Sequence, residues 1–411
     1  MKKLNLAFLS YRSSPLSGGQ GIYLKNLTES LTKIGHKVTV FSGSPLPELN
    51  ESIRLIQIDT PGYYETFDFN ERLRIFSSLP QKNHTELDDF FKTMSGAFSE
   101  PILFGKRLAN NKEFQSLSGL FDIFHDNQSI SKYPAFMHNK LITTVHHPIH
   151  IDRDLDLKFE QNFFSRLAIK RWYSFLRNHE KNLKQSRLIV TPSDCSKADI
   201  EKFFKVSGKK IEVLWNGISK INFNISTKKE FNNRLVTIVS SDVPMKNLSN
   251  LIKGFAIAKK TKKELTLTII GDLRDKNKEL IDQLSLTSSI KYKPKISNKE
   301  VIAELQKSDI GVLASLYEGF GFPLIEMIST GLPVIVSNKG SLPELMGDAG
   351  LAFNPEDIAD LAKKIIQICD DESLRENFVS LSIKRRDDFF DWDEYAMKLT
   401  KLYQKVINGY I

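Results

Sequence analysis

Cysteine is nearly missing: Cys195 and Cys369 are the two in 411 residues. Their separation suits neither a metal-ligand pair nor a redox pair, and two thiols cannot build a disulfide framework. Such sparing use predicts a reducing compartment. Long apolar runs are lacking too, with none reaching the roughly 18 residues that cross a bilayer. The N-terminus, Met1-Lys2-Lys3 and then an apolar segment from Leu4 to Leu9, imitates a secretory signal. Its apolar part is too short, and Tyr11-Arg12 follows with no small-residue cleavage site, so it reads as a first β-strand. The expected location is cytoplasmic. There is no zinc-finger spacing, no RNP-like aromatic strand and no arginine-rich tail, which argues against nucleic acid as a partner. The pattern G-x-G-x-x-G is missing as well, which disfavours a nicotinamide enzyme. No group of carboxylates or histidines has metal-ligand spacing, so neither a metal nor a cofactor is implied.

What is there is a basic chain of ordinary globular composition, 41% apolar and 26% charged, with a formal net charge of +9. The charge favours anionic partners such as phosphorylated small molecules or acidic lipid headgroups, and a generally basic surface explains it equally well. The length exceeds one ordinary domain. Apolar segments at 4–10, 37–42, 53–58, 121–125, 141–146, 187–191 and 210–214 read as strands. Residues 20–34 read as a helix, with Tyr23, Leu27, Leu31 and Ile34 on one face and Gly35 as its stop. A partly helical insertion occupies about 65–118. The pattern restarts with strands at 235–240, 265–270, 309–315 and 333–337, and Ser297 with Glu300 forms a capping box. After Asp357 the chain reads as helix throughout. This alternation predicts an α/β protein with parallel sheets covered on both faces. There are too many strands for one compact sheet, and the polar stretch 219–234 marks the break. The expectation is two doubly wound, Rossmann-like domains, 1–218 and 219–388. Ligands of such sheets sit at the carboxyl ends of the strands.

The most informative string runs from Ser315 to Glu326 and contains Glu318, Gly319, Phe320, Gly321, Phe322 and Pro323. It follows an apolar strand. Its glycines let backbone approach a ligand, Pro323 suits a helix start, and a helix N-terminus after such a loop suits phosphate. Either glutamate alone reads as well as a solvated turn residue. Together, Glu318 and Glu326 with seven residues between them resemble the paired-glutamate motif of the family 4 glycosyltransferases of the GT-B fold. The flanks Gly331-Leu332-Pro333-Val334-Ile335 and Gly340-Ser341-Leu342-Pro343-Glu344 are similar to that family too. The resemblance implies a retaining transferase that takes a sugar from a nucleotide-diphosphate donor. It implies two facing domains, with a C-terminal helix at 389–411 crossing back to the first. It places Glu318 beside the donor sugar and Glu326 on the ribose hydroxyls, a role a carboxylate can fill by accepting two bonds. Gly319, Phe320, Gly321 and Phe322 would offer amides to the donor phosphates.

Further segments carry the same resemblance. Ser17-Gly18-Gly19-Gln20-Gly21, after the first strand, is similar to the family's glycine loop, which puts Gly18 and Gly19 near the donor phosphates. His146, in Thr144-Val145-His146-His147-Pro148, matches a histidine near the reaction centre; His147 competes with it, and a strand-end histidine bonded to backbone is the plain alternative. His125 and Asn127 lie in a segment that lines the acceptor side in the family, and they touch substrate or serve structure with equal support. His36 reads as structural, and Asn216-Gly217 as a turn. Lys246 fits the family's diphosphate-gripping lysine, but Ser241 stands where an arginine is usual. The metal-binding DxD motif of other transferases has no convincing match. Residues 159–184 read as one long basic helix, able either to pack on its own sheet or to lie on an anionic membrane and receive a lipid-linked acceptor. The acceptor classes left open are a glycan, a lipid-linked glycan or a small molecule. Two rival readings remain: a sugar-nucleotide epimerase on the same fold, and a catalytically silent sugar-nucleotide or glycan-binding module.

Overall fold

A computed structural model describes residues 2–14, 19–219 and 230–410. The described chain divides into two compact units. The first comprises the residues up to 192, then 196–215, and then those from Trp392 onward; the second comprises 193–195 and 216–391. Gly18, Ser17 and most of the expected break at 219–234 lie outside the described residues.

The first unit carries a seven-stranded sheet: β1 (Asn5–Ser10), β2 (Lys37–Ser42), β3 (Arg54–Gln57), β4 (Ile123–Asn127), β5 (Leu141–Thr144), β6 (Leu188–Thr191) and β7 (Ile211–Val213). Its order is β3-β2-β1-β4-β5-β6-β7. Each ladder is parallel, with Leu6 opposite both Val38 and Ile123. The second unit carries β8 (Arg234–Ile238), β9 (Thr266–Ile270), β10 (Ile290–Lys293), β11 (Ile310–Leu313), β12 (Val334–Ser337) and β13 (Gly350–Phe353). Its order is β10-β9-β8-β11-β12-β13, again parallel. Each sheet reverses its direction of winding once, between β1 and β4 and between β8 and β11. These are the switch points at which doubly wound sheets open a ligand crevice.

The central strands are apolar along their length because helices cover both faces. Ala7, Leu9, Phe41, Phe104, Phe114 and Phe124 share one buried cluster in the first unit. Leu251, Phe255, Leu267, Ile269, Val312 and Ile335 share another in the second. Strands β10 and β13 escaped the sequence reading, and both are sheet edges. Lys291 and Tyr292 of β10 are exposed, and β13 is partly exposed and opens on a glycine, so neither shows a buried run.

The insertion after β3 folds as four helices, Phe69–Ser78, His84–Met94, Glu100–Asn110 and Lys112–Leu117. Buried Arg107 binds Asp89 at 2.6 Å and Glu86 at 2.8 Å. Arg12, just past β1, reaches Glu100 at 2.7 Å and so ties the insertion to the sheet.

The C-terminal helix, Trp392–Ile407, belongs to the first unit. Tyr395 shares a hydrogen bond of 2.9 Å with Tyr23, Tyr403 one of 2.6 Å with His125, and Thr400 one of 3.0 Å with His36. His36 also accepts from the Leu4 amide at 3.1 Å, so it is a structural histidine joining strand and helix.

The single basic helix expected at 159–184 is not formed. One helix, His150–Phe159, stops at Glu160, and a second, Phe163–Trp172, starts behind Asn162, whose side chain accepts from the Ser165 amide. A short 3-10 turn at Tyr173–Phe175 leads to a third, Leu176–Asn182. Asn162 is a strong N-cap residue, and such a residue breaks a pattern that periodicity alone would carry through.

Candidate functional site

At the second unit's switch point, the loop after β8 ends in a 3-10 turn, Pro244–Lys246. Asn247 follows in the left-handed region at φ 56°, and its side chain donates to the carbonyls of Ala314 (3.0 Å) and Pro355 (2.8 Å). The Leu316 amide donates to the Met245 carbonyl at 2.8 Å. The loops leaving β8 and β11 are thereby fastened together, and Lys246 Nζ comes to 2.7 Å from Glu318 Oε1. Ser315 Oγ donates to the same oxygen at 2.7 Å. Both charged side chains are mostly buried, at 12% and 14% exposure, which strengthens the pair relative to one in open water. The loop after β12 closes on the backbone of Glu318. Ser341 N donates to its carbonyl at 3.0 Å, and a Cβ at Gly340 would lie 2.7 Å from both its nitrogen and its oxygen. Only glycine fits there.

Gly321, at φ 83°, turns the chain into the helix Phe322–Ser329, which has Pro323 in its first turn. The Phe320 ring is buried and meets Phe322 edge-on at 5.3 Å, so the Phe320 side chain packs within the fold. Glu326 lies in the helix, partly buried. Burial pushes its carboxyl up to about 7, with no cation or donor acting on it among the described residues. Ser241, in the arginine's place, precedes Asp242, which accepts from the Arg274 amide and the Asn277 side chain, each at 2.8 Å. This segment braces the loop after β9.

At the first unit's switch point, β4 ends in three buried polar residues. His125 is bonded on one side to Tyr403 and on the other to Thr144 at 2.7 Å, which marks it as structural. Asp126 accepts from the amides of Ser129 (3.1 Å) and Ile130 (2.8 Å) and from Tyr133 at 2.8 Å, holding a tight turn. Asn127 donates to the Gln20 carbonyl at 3.3 Å, and its Oδ1 meets His146 Nε2 at 2.8 Å. An amide so oriented accepts from His146, which fixes the Nε2–H tautomer and leaves Nδ1 as an acceptor. Burial, with a lesser contribution from His147, lowers the His146 imidazole to about 3, so it is neutral at ordinary pH. Tyr23 meets the same ring edge-on at 4.7 Å. Gln128 grips the 146–147 backbone, accepting from the His146 amide and donating to the His147 carbonyl at 3.2 Å. His147 pairs with Asp152 at 2.8 Å. Gly19 opens the helix Gly19–Lys33.

The structure thus joins Lys246 with Glu318 and braces His146 with Asn127. The sequence reading missed Asn247, Gln128 and Tyr23. The first two occupy positions where only backbone geometry, φ 56° and φ 54°, reveals the role.

Two parallel doubly wound units, each with polar loops gathered where its sheet reverses winding, are the architecture of the GT-B class. Family models for glycosyl transferases group 1 match residues 220–385, and for glycosyltransferase family 4 residues 98–220. The chain is 30% identical to the MMP alpha-(1->4)-mannosyltransferase of Mycolicibacterium hassiacum, over 98% of each chain. Its fold is similar to sucrose-phosphate synthase from Thermosynechococcus elongatus, with a TM-score of 0.70 and 17% identity over 99% of this chain and all of the other. It is similar also to Anabaena HepE, solved in complex with UDP and glucose, with a TM-score of 0.66 and 15% identity over 98% and 99%. The chain belongs to the family 4 glycosyltransferases of the GT-B fold, and it is an enzyme of glycosyl transfer. No helix among the described residues is long and apolar enough to cross a membrane.

Proposed function

We propose that the protein transfers a hexosyl group, mannose in the first instance, from a nucleoside-diphosphate sugar with retention of configuration. The observation that carries this is the Lys246–Glu318 pair, lodged where the second sheet reverses its winding. A lysine and a carboxylate held in contact before substrate arrives suit a ligand with an anionic leaving group and a sugar that develops positive charge. The donor's diphosphate takes Lys246 and the amides of residues 319–322. Glu318, released from the lysine, then supports the oxocarbenium-like centre. Glu326 accepts from the ribose hydroxyls. His146, neutral and with Nδ1 unprotonated, accepts a hydrogen bond from a sugar hydroxyl. A general donor role is disfavoured because its one N–H already serves Asn127.

The bond between the anomeric carbon and the phosphate oxygen breaks, and a bond to the acceptor oxygen forms on the same face. The acceptor proton passes to the departing phosphate. Retention is supported by the α-linkage in the mannosyltransferase relative's name, because the common hexose donors are α-linked as well. The acceptor is a glycan, a lipid-linked glycan or a small molecule. The enzyme works in the cytoplasm, in peripheral contact with an anionic membrane.

The test begins with thermal shift against GDP-mannose and UDP-, GDP- and ADP-sugars, because a ligand of the native state alone raises Tm. Turnover with the best donor and an acceptor panel follows, with the product's anomeric configuration read by NMR. A β-linked product from an α-linked donor overturns the retaining mechanism. An altered sugar formed without acceptor favours an epimerase.

A further inference from the structure

The helix Phe163–Trp172 has no buried residue. Phe163, Phe164 and Leu167 are 72%, 77% and 57% exposed. At about 100° per residue they share one outward arc of the helix with Lys170, while Arg171 at the edge of that arc donates to the Ser95 carbonyl at 3.2 Å. The opposite side attaches it to the body: Phe98 N donates to the Trp172 carbonyl at 3.2 Å, and the Phe98 and Trp172 rings stack at 5.0 Å. Arg166 secures the helix start by donating to the carbonyls of Leu157 and Glu160.

Beside the helix lies a cavity of about 970 Å³ whose walls include Leu157, Phe164, Leu167 and Leu176. Its charged lining is Arg153, Lys170, Arg171 and Arg177 against Asp154 and Glu180. Both acids are engaged, Asp154 by Arg153 at 2.8 Å and Glu180 by His150 at 3.4 Å. Lys170 and Arg177 form no ion pair among the described residues. The face therefore combines bare aromatic and aliphatic side chains with uncompensated positive charge. A protein interior would leave those cations unpaired, and open water leaves the rings unburied. A bilayer rich in anionic lipid satisfies both, with rings among the acyl chains and cations among the headgroups.

We propose that this helix, with the basic cavity behind it, is the element that docks the enzyme on an anionic membrane surface. The proposal rests on the peripheral-membrane part of the function stated above and is independent of the donor chemistry. It narrows the docking element to residues 163–172, since Phe175, Leu176 and His179 farther along are buried in the fold.

The test is vesicle flotation of the full chain with phosphatidylcholine alone and with phosphatidylcholine mixed with phosphatidylglycerol. The wild type should float with the anionic vesicles at low salt, remain in solution with the neutral ones, and be released as salt rises. The double variant Phe163→Ser/Phe164→Ser should lose at least tenfold in vesicle binding, with Tm and turnover of a soluble acceptor unchanged. Lys170→Gln/Arg177→Gln should weaken binding and flatten its salt dependence. Failure to float on anionic vesicles at low salt overturns the proposal, as does undiminished binding by the aromatic double variant. If light scattering instead shows a dimer that the same double variant abolishes, the face is a contact between copies and the proposal falls. Retained sugar transfer in any of these outcomes leaves the catalytic reading standing.

Discussion

Replacing Glu326 by glutamine should stabilise the ligand-free protein, and the gain should depend on pH. Burial raises this carboxyl from 4.5 to about 7. Between those values the folded chain holds a proton that the unfolded chain has released. Stability must then fall as pH rises through that window and level off above it. At 1.36 kcal/mol for each tenfold change in acidity, the full shift corresponds to a ceiling of about 3 kcal/mol. Glutamine keeps the shape of the side chain without the charge. Its advantage should be near zero at the acid end of the window and approach that ceiling on the alkaline side. For a unit of this size the ceiling corresponds to a rise in Tm of up to about 6–12 °C. Differential scanning calorimetry of both proteins across the window measures it. A difference that is flat with pH, or that grows toward acid, would refute the burial argument. The same variant should bind donor less tightly, because a carboxylate is the better acceptor for two ribose hydroxyls. A function that needs the charged form where the empty fold disfavours it is the signature expected of a binding group rather than a structural one.

Three other outcomes are expected. Glu318→Gln should lower kcat by about 100-fold or more, as for loss of a well-placed electrostatic group, with little change in donor KM; a folded variant with parental turnover would show that Glu318 does not act on the transition state. Tyr395→Phe removes the hydroxyl shared with Tyr23 and should cost about 1 kcal/mol, seen as a lower Tm with kcat retained; an unchanged Tm would mean the buried bond adds nothing. Deleting residues after 390 should expose Tyr23, His125 and His36 and sharply reduce solubility, and a truncated protein as stable and active as the parent would contradict the packing described for the C-terminal helix.

The parallel α/β architecture was legible because central strands such as β1, β11 and β12 carry buried, mostly apolar runs. Edge strands are wetted on one side and lack that mark, which hid β10 and β13. In the candidate site, Glu318, Glu326 and Lys246 stood out in the sequence through the resemblance of their segments to the family. Their partnerships did not. Nothing in a linear string announces that Lys246 and Glu318, 72 positions apart, would neutralise each other. Nor does it show that Asn127 would take the proton-bearing nitrogen of His146. His125 and His146 illustrate the limit well. Burial pushes both imidazoles down to about 3, so both are neutral, yet His125 is bonded to the fold through both ring nitrogens, whereas His146 is bonded through Nε2 alone among the described residues.

The C-terminal helix also has a consequence for the order in which the protein can be built. Tyr23 and Tyr395 are partners across 372 positions of sequence, and the whole second unit is strung between them. During synthesis the first seven strands emerge early, but their sheet lacks the helix that covers Tyr23, His36 and His125 until the last residues are made. The second unit, continuous in sequence apart from a three-residue piece, has every strand it needs before then. Folding it first shortens the effective loop that the returning helix must close, because a compact body replaces a long flexible tether. The first unit to be translated is therefore the last to be finished, and a nascent chain arrested before residue 392 should hold a folded second unit while the first is still incomplete.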